Sequence, residues 1–307
     1  MQNLLRVSKN NAFIEYNTKI LLCSNGYIEL KKYNRTLERK KDGYEEQENQ
    51  QENQQKFKCT RAKKNTSGII SKSNLSKTRN NLIALACENE DVFTSFITLT
   101  LSNNENCEKR TEIDINNIGQ ANRLFNIWVT QIRRKYPNFV YICVPEYQKR
   151  GAVHYHLLSN LRCGVEIPAR EPIQTYNTQK KRYYNLEYYD IPFWNYGYST
   201  AFDIKKTDDN FNLALYITKY LYKDIDNRLF GRQKVLRSKD LRKPKEVFCN
   251  SPTYEQAINY IKEKGYSINQ YEFQPTEEYQ IPFTKSSTKI SQYDYNTLCD
   301  YITRATK

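Results

Sequence analysis

The 307-residue chain contains two histidines, one residue apart: His154 and His156 in Gly151-Ala-Val-His-Tyr-His-Leu-Leu158. Imidazole is the commonest metal ligand near neutral pH. On a β-strand, side chains at i and i+2 share a face, and the flanking Val153, Tyr155, Leu157 and Leu158 favour a strand. Both rings are therefore expected side by side on one sheet face. Upstream, Val140, Ile142, Val144 and Glu146 alternate onto one face of a second strand, and the turn Gln148-Lys-Arg-Gly151 folds it back against the histidines. That hairpin sets Glu146 beside the imidazoles. Two imidazoles and a carboxylate with open positions suit Mn²⁺ or Mg²⁺ handling a phosphate, and the same set also suits a catalytic zinc. The bland alternative is a pair of surface or hydrogen-bonded histidines.

A second group able to do chemistry lies in Leu215-Tyr-Ile-Thr-Lys-Tyr-Leu-Tyr-Lys-Asp224. At helical spacing Tyr216 and Tyr220 share a face with Lys219 and Lys223 alongside, while Ala214, Ile217, Leu221 and Ile225 form a separate apolar stripe that can anchor the helix. Tyrosine is a competent nucleophile when activated. Its phenol has an ordinary pKa near 10, so a neighbouring cation such as Lys219 would help. Alone, the pair is weak evidence, because a chain with 26 tyrosines is expected to hold such a spacing by chance, and Tyr184 and Tyr188 repeat it.

The elements that must position these groups are legible in outline. Ile20–Cys23 and Tyr27–Leu30 flank the turn Ser24-Asn-Gly26 and read as a hairpin. Residues 45–55 are a Glu, Gln and Asn tract unable to bury a core, hence a linker. A helix is expected from about Lys72 to Cys87, then a strand from Val92 to Thr100. An amphipathic helix near 115–135 follows, with Ile118, Ala121, Leu124, Phe125, Trp128 and Ile132 at helical spacing. Strands are expected at 138–147, 152–159 and 197–204, and the tyrosine helix from 208 or 209 to about 224. Residues 160–195 give no clear pattern. A C-terminal helix is signalled by Ser251 as N-cap, Pro252 at the first position and Gly265 past the end. The implied division is 1–90 (hairpin, linker and helix), 91–250 (the domain that carries the chemistry) and 251–307 (a C-terminal extension).

Composition narrows the partners. The net charge is +14 and aromatics reach 13%, a combination that favours a polyanion with unpaired bases; AT-rich coding and solubilising charge are the competing explanation. No apolar run approaches the roughly 18 residues of a membrane span. The N-terminus lacks the pattern of a signal peptide, and eight scattered cysteines without a CxxC pair suit free thiols. These features point to the cytoplasm. No GxxxxGK[ST] occurs, so no nucleotide cofactor of the P-loop kind is expected.

In order, Phe96-Ile-Thr-Leu-Thr100, Glu146 with His154-Tyr-His156, and Tyr216-x-x-Lys219-Tyr220 resemble the three motifs of HUH endonucleases, the rolling-circle replication initiators of phages, plasmids and single-stranded DNA viruses. The twin tyrosines are most similar to the phage type. Ser238-Lys-Asp-Leu-Arg-Lys-Pro244 resembles the basic stretch that follows the tyrosine helix in many of them. The resemblance covers about residues 92–245. It implies an α+β fold, a central antiparallel sheet with helices packed on one face. It also implies a divalent ion held by His154, His156 and Glu146, and attack by Tyr216 or Tyr220, assisted by Lys219, on single-stranded DNA at a replication origin. Phosphate contacts are then expected from Lys149, Arg150 and Lys223, and from Arg232, Lys234, Arg237, Lys239, Arg242 and Lys243 of the basic segment, which could equally be a solvated loop. Without a P-loop, such an initiator would borrow a host helicase as well as a host polymerase. A single-tyrosine transposase, a relaxase, or a non-catalytic DNA-binding protein with a vestigial site are the competing readings.

Overall fold

The computed structural model describes residues 13–40, 72–177, 181–204, 210–221, 227–274 and 281–306. The tract at 45–55 and Lys223 lie outside them. Strands β1 (Phe13–Leu22) and β2 (Tyr27–Lys40) come first, then helix α1 (Lys72–Glu88) and β3 (Ser95–Thr100). Helix α2 (Ile118–Lys135) precedes β4 (Tyr141–Tyr147), β5 (Val153–Ser159), β6 (Ala169–Asn177), β7 (Arg182–Tyr189) and β8 (Ser199–Asp203). After α3 (Asn210–Lys219) come the short β9 (Leu236–Arg237), β10 (Lys245–Cys249), α4 (Ser251–Glu263), β11 (Asn269–Phe273), β12 (Phe283–Lys289) and α5 (Gln292–Ala305). The fold class is α+β with antiparallel sheets. The chain divides into a central unit, Gly68–Arg242, and a terminal unit formed by Met1–Ser67 together with Lys243–Lys307. No described helix is long and apolar enough to cross a membrane.

In the central unit the sheet runs β8-β3-β5-β4-β9, which puts β5 and its histidines in the middle. Alternation along β5 sends Val153, Tyr155 and Leu157 to one face and His154, His156 and Leu158 to the other. The first face packs on α2. Phe125 stacks on Tyr155 with ring centroids 4.6 Å apart, and the Tyr155 hydroxyl donates to Asn122 Oδ1 at 2.9 Å. Phe125, Trp128 and Ile132 are fully buried, and each large apolar side chain so buried stabilises by roughly 1.5–3 kcal/mol. Asn117 caps α2, accepting from the Gly119 and Gln120 amides at 2.9 and 3.2 Å. Arg133, Arg134 and Lys135 fill its last turn, where cations offset the helix dipole.

Helices cover both faces of this sheet, a correction to the one-sided expectation. Helix α1 packs on α3, and α3 packs on β5 from the histidine side. The reason lies in the strands: Phe96 and Leu158 on that side are as buried as Ile97 and Leu157 on the other, and strands apolar on both faces need two covering layers. Two further elements escaped the sequence reading. Residues 169–189 form the antiparallel hairpin β6–β7, and the basic segment contributes β9, pairing Leu236 with Cys143 and Arg237 with Ile142. Buried Ser238 fastens that segment, its Oγ accepting from the Tyr141 amide at 3.0 Å and from Arg133 Nη2 at 3.3 Å.

The terminal unit is a sheet of order β10-β1-β2-β12-β11 with α4 and α5 on one face. Segments read from sequence as separate ends of the chain thus share one sheet. Ile20, Leu22, Ile28 and Leu30 join Ile258, Ile261, Leu298 and Ile302 in its core. Gly26 is at φ +85°, and a Cβ there would stand 2.2 Å from the Ile290 carbonyl oxygen, so the turn requires glycine. Asn250, not Ser251, is the N-cap of α4; proline fits either of the first two helical positions, so the sequence signal was offset by one residue.

Candidate active site

The sheet register brings the expected groups together. Glu146 lies directly opposite His154 and Val144 opposite His156, while Thr98 and Thr100 of β3 face His156 and His154 from the other side. The Glu146 Oε2 to His156 Nε2 distance is 2.8 Å, with both side chains 7% exposed. Thr98 Oγ1 stands 3.3 Å from the other ring nitrogen, Nδ1. An ionised carboxylate can only accept, so Nε2 carries the proton and donates to Glu146, leaving Nδ1 to accept from the Thr98 hydroxyl. The His154 and His156 rings are 6.0 Å apart, and His154 Nε2 is buried. Among the described residues, no group of three His, Cys, Asp or Glu side chains is arranged around a metal position; Glu146 is closed onto its histidine instead.

The tyrosines arrive from above this face. Tyr216 sits in the last full turn of α3 and Tyr220 one residue beyond its end, where the Leu221 amide bonds back to the Thr218 carbonyl at 3.1 Å and tightens the turn. The helix thus ends before the expected 224, with residues 222–226 outside the described chain. Ile217 and Leu221 are buried and anchor the turn, as their stripe predicted. The Tyr220 ring stacks flat on His156, centroids 3.6 Å apart at 15°. Its hydroxyl donates to the Tyr216 hydroxyl at 2.8 Å. Burial pushes the Tyr220 phenol well above the ordinary tyrosine value, and the bond to Tyr216 and the nearby Glu146 charge push it the same way. Lys219 is exposed, its ammonium 3.7 Å from the Tyr216 ring centroid and 5.2 Å from that of Tyr220. Its contact is with the ring faces.

Phe96 was quoted in the β3 motif without a role. It is 2% exposed and touches Tyr216, Tyr220 and His156 at centroid distances of 5.1, 6.1 and 6.1 Å. Phe202 stacks on it at 5.1 Å. Alternation along β3 could have flagged Phe96, Thr98 and Thr100 together as facing the histidines.

The expected phosphate contacts divide. Lys149 and Arg150 are exposed at the β4–β5 turn beside the site, Arg150 Nε donating to Gln148 Oε1 at 2.7 Å. Arg232, Arg237 and Lys239 are exposed, whereas Lys234 is half-buried and burial lowers its pKa. Arg242 is engaged with Asp91 and donates to the Glu88 carbonyl at 2.8 Å, while its backbone exchanges two bonds with the Asn89 side chain. Its guanidinium ties the chain down at this point. Lys243 falls in the terminal unit.

Fold and site together describe an α+β domain that presents a tyrosine pair over paired histidines and a buried carboxylate. Residues 94–225 match the family model described as Replication-associated protein, the group of ORF2 and the gene 2 protein. The match spans β3 to the turn after α3, the same stretch that builds the site, and it supports a rolling-circle replication initiator. Comparison with curated proteins and with solved structures gives no match.

Proposed function

We propose that the chain nicks and rejoins single-stranded DNA at a replication origin, starting and ending rolling-circle replication through a covalent tyrosine intermediate. The observation that carries this reading is the stacking of Tyr220, hydrogen-bonded to Tyr216, on His156 of the histidine pair. A phenolate from Tyr216 or Tyr220 attacks phosphorus in line. The tyrosine O–P bond forms, the bond from phosphorus to the 3′-oxygen breaks, and that oxygen takes a proton to leave as a free 3′-OH. The strand remains as a 5′-phosphotyrosine ester, which keeps the energy needed for rejoining. Lys219 offsets charge on the phosphate, and Phe96 and His156 hold the rings. The donor set of His154, His156 and Glu146 fits a divalent Mn²⁺, Mg²⁺ or Zn²⁺ ion, which would supply Lewis-acid polarisation of the phosphate. Lys149 and Arg150 lie where they could hold the flanking backbone. The reaction would take place in a host cytoplasm, with host helicase and polymerase extending the 3′-end.

The test is incubation with single-stranded oligonucleotides from the replicon, with Mn²⁺ or with EDTA, resolved on a denaturing gel. A metal-dependent adduct that survives denaturation, and is lost in Tyr216→Phe/Tyr220→Phe and in His154→Ala, is the expected result. Tight binding with no adduct on any oligonucleotide would replace this reading with a binding-only protein.

A further inference from the structure

Five aromatic rings, one from each strand, cross the sheet of the terminal unit in strand order. Phe248 of β10 meets Tyr16 of β1 at 4.8 Å between centroids, and Tyr16 meets Tyr33 of β2 at 6.1 Å. Tyr33 meets Phe283 of β12 at 5.7 Å, and Phe283 stacks on Phe273 of β11 at 4.6 Å and 13°. The row lies on the face opposite α4 and α5, so it plays no part in the core of Ile20, Leu22, Ile28 and Leu30. A register shift between Tyr16 and Thr18 interrupts the alternation and lets Tyr16 join that face. All five rings are partly exposed, Phe273 by 38%.

Cations border the row. The Arg39 guanidinium is 4.2 Å from the Phe248 centroid and Lys19 is 5.5 Å from it. Lys31 and Lys285 stand on the same face, bridged by Glu29 at 2.8 and 2.7 Å, and Glu246 holds Lys19 at 2.6 Å. Strands β1 and β2 carry six Lys or Arg against three Glu. A protein partner would be met by an apolar patch with few charges at its centre. Half-exposed rings spread across a sheet and edged by cations instead suit unpaired bases, which stack on the rings while the backbone meets the charges.

We propose that this face is a stacking platform for single-stranded DNA, distinct from the tyrosine–histidine site. The choice of DNA over RNA rests on the replication reading; the stacking surface does not. Four strand spacings put the ends of the row about 19 Å apart, enough for a site of about four nucleotides or more.

The experiment uses the full chain carrying Tyr216→Phe/Tyr220→Phe, in EDTA, so that neither nicking nor its failure enters the readout. Binding of labelled oligo(dT) of about 20 nucleotides is followed by anisotropy against salt. Adding Phe273→Ala/Phe283→Ala should weaken binding by about ten- to a hundredfold without changing the salt slope, because stacking releases no counterions. Arg39→Ala should reduce that slope by about one. Phe273→Ala alone, at an exposed edge position, serves if the double variant unfolds, and Phe273→Trp should retain binding. Photocrosslinking of a bromodeoxyuridine oligonucleotide should label peptides carrying Tyr33, Phe273 or Phe283. A folded alanine variant that binds within about twofold of its parent, crosslinks confined to the central unit, tighter binding of oligo(U), or a variant that merely loses self-association would each overturn the proposal.

Discussion

Glu146→Ala removes an acceptor 2.8 Å from His156 Nε2 where both side chains are 7% exposed. A hydrogen bond to a charged group contributes about 1.5–3 kcal/mol, and leaving its buried partner unsatisfied adds to the loss. The variant is therefore expected to lose about 3 kcal/mol in the absence of metal. At about 2–4 °C per kcal/mol for a unit of this size, its melting temperature falls by roughly 6–12 °C. The pairwise part is isolated by a double-mutant cycle with His156→Ala, in which the lost stacking on Tyr220 cancels. Both tryptophans of the chain, Trp128 and Trp194, are fully buried in the central unit, so denaturation followed by tryptophan fluorescence in EDTA reports on that unit. The expected coupling is about 1.5–3 kcal/mol. A value below about 0.5 kcal/mol would refute the hydrogen bond and the Nε2 proton assigned from it. With Mn²⁺ in excess the proposal adds a second expectation. Ligation displaces the Nε2 proton and opens this bond, so the parent gains stability by mass action and Glu146→Ala gains less.

Phe96→Ala, at a 2%-exposed position against both tyrosines and His156, should cost about 3–5 kcal/mol in denaturant unfolding; a loss under about 1 kcal/mol would mean that the rings repack around the gap. Glu29 is pushed up by burial but pulled further down by Lys31 and Lys285, leaving it below the ordinary carboxylate value of 4.5. Its contribution is thus complete above about pH 4.5 and is lost as pH falls through its lower native pKa; acid titration of the fold should show this dependence, and Glu29→Gln should remove it. Gly197, at φ +147°, would place a Cβ 2.1 Å from the Thr100 carbonyl oxygen, so Gly197→Ala should cost about 2–4 kcal/mol in thermal unfolding, and an unchanged melting temperature would contradict that close approach.

The site was legible where chemistry and strand period coincide. A two-residue spacing fixes a shared face whatever the rest of the chain does, and the short turn at 148–151 leaves one register for Glu146. The tyrosine helix was legible from its apolar stripe, since Ile217 and Leu221 must be buried for Tyr216 and Tyr220 to overhang β5. Its premature end was not, because nothing in Lys219-Tyr-Leu-Tyr announces a stop. The β6–β7 hairpin was hidden by tyrosines, which suit strand, loop and interface alike. The pairing of β1 with β10 was out of reach for a different reason: local patterns carry no record of which distant edge a strand will find. Arg242 shows the limit of charge counting, since its sequence neighbours mark a basic run while its partners, Asp91 and Glu88, lie 151 and 154 residues away.

The terminal sheet also sets a timetable for synthesis. Lys19 and its partner Glu246 are 227 residues apart, which a ribosome covers in roughly 10–50 s. Through that interval the hairpin of β1 and β2 has emerged with Ile20, Leu22, Ile28 and Leu30 still lacking their helices, and with both outer edges open to foreign strands. The central unit, contiguous in sequence, can finish folding during the wait. The first hairpin to be made is among the last elements to be completed, and conditions that slow translation or cut it short before β10 should expose it to aggregation first.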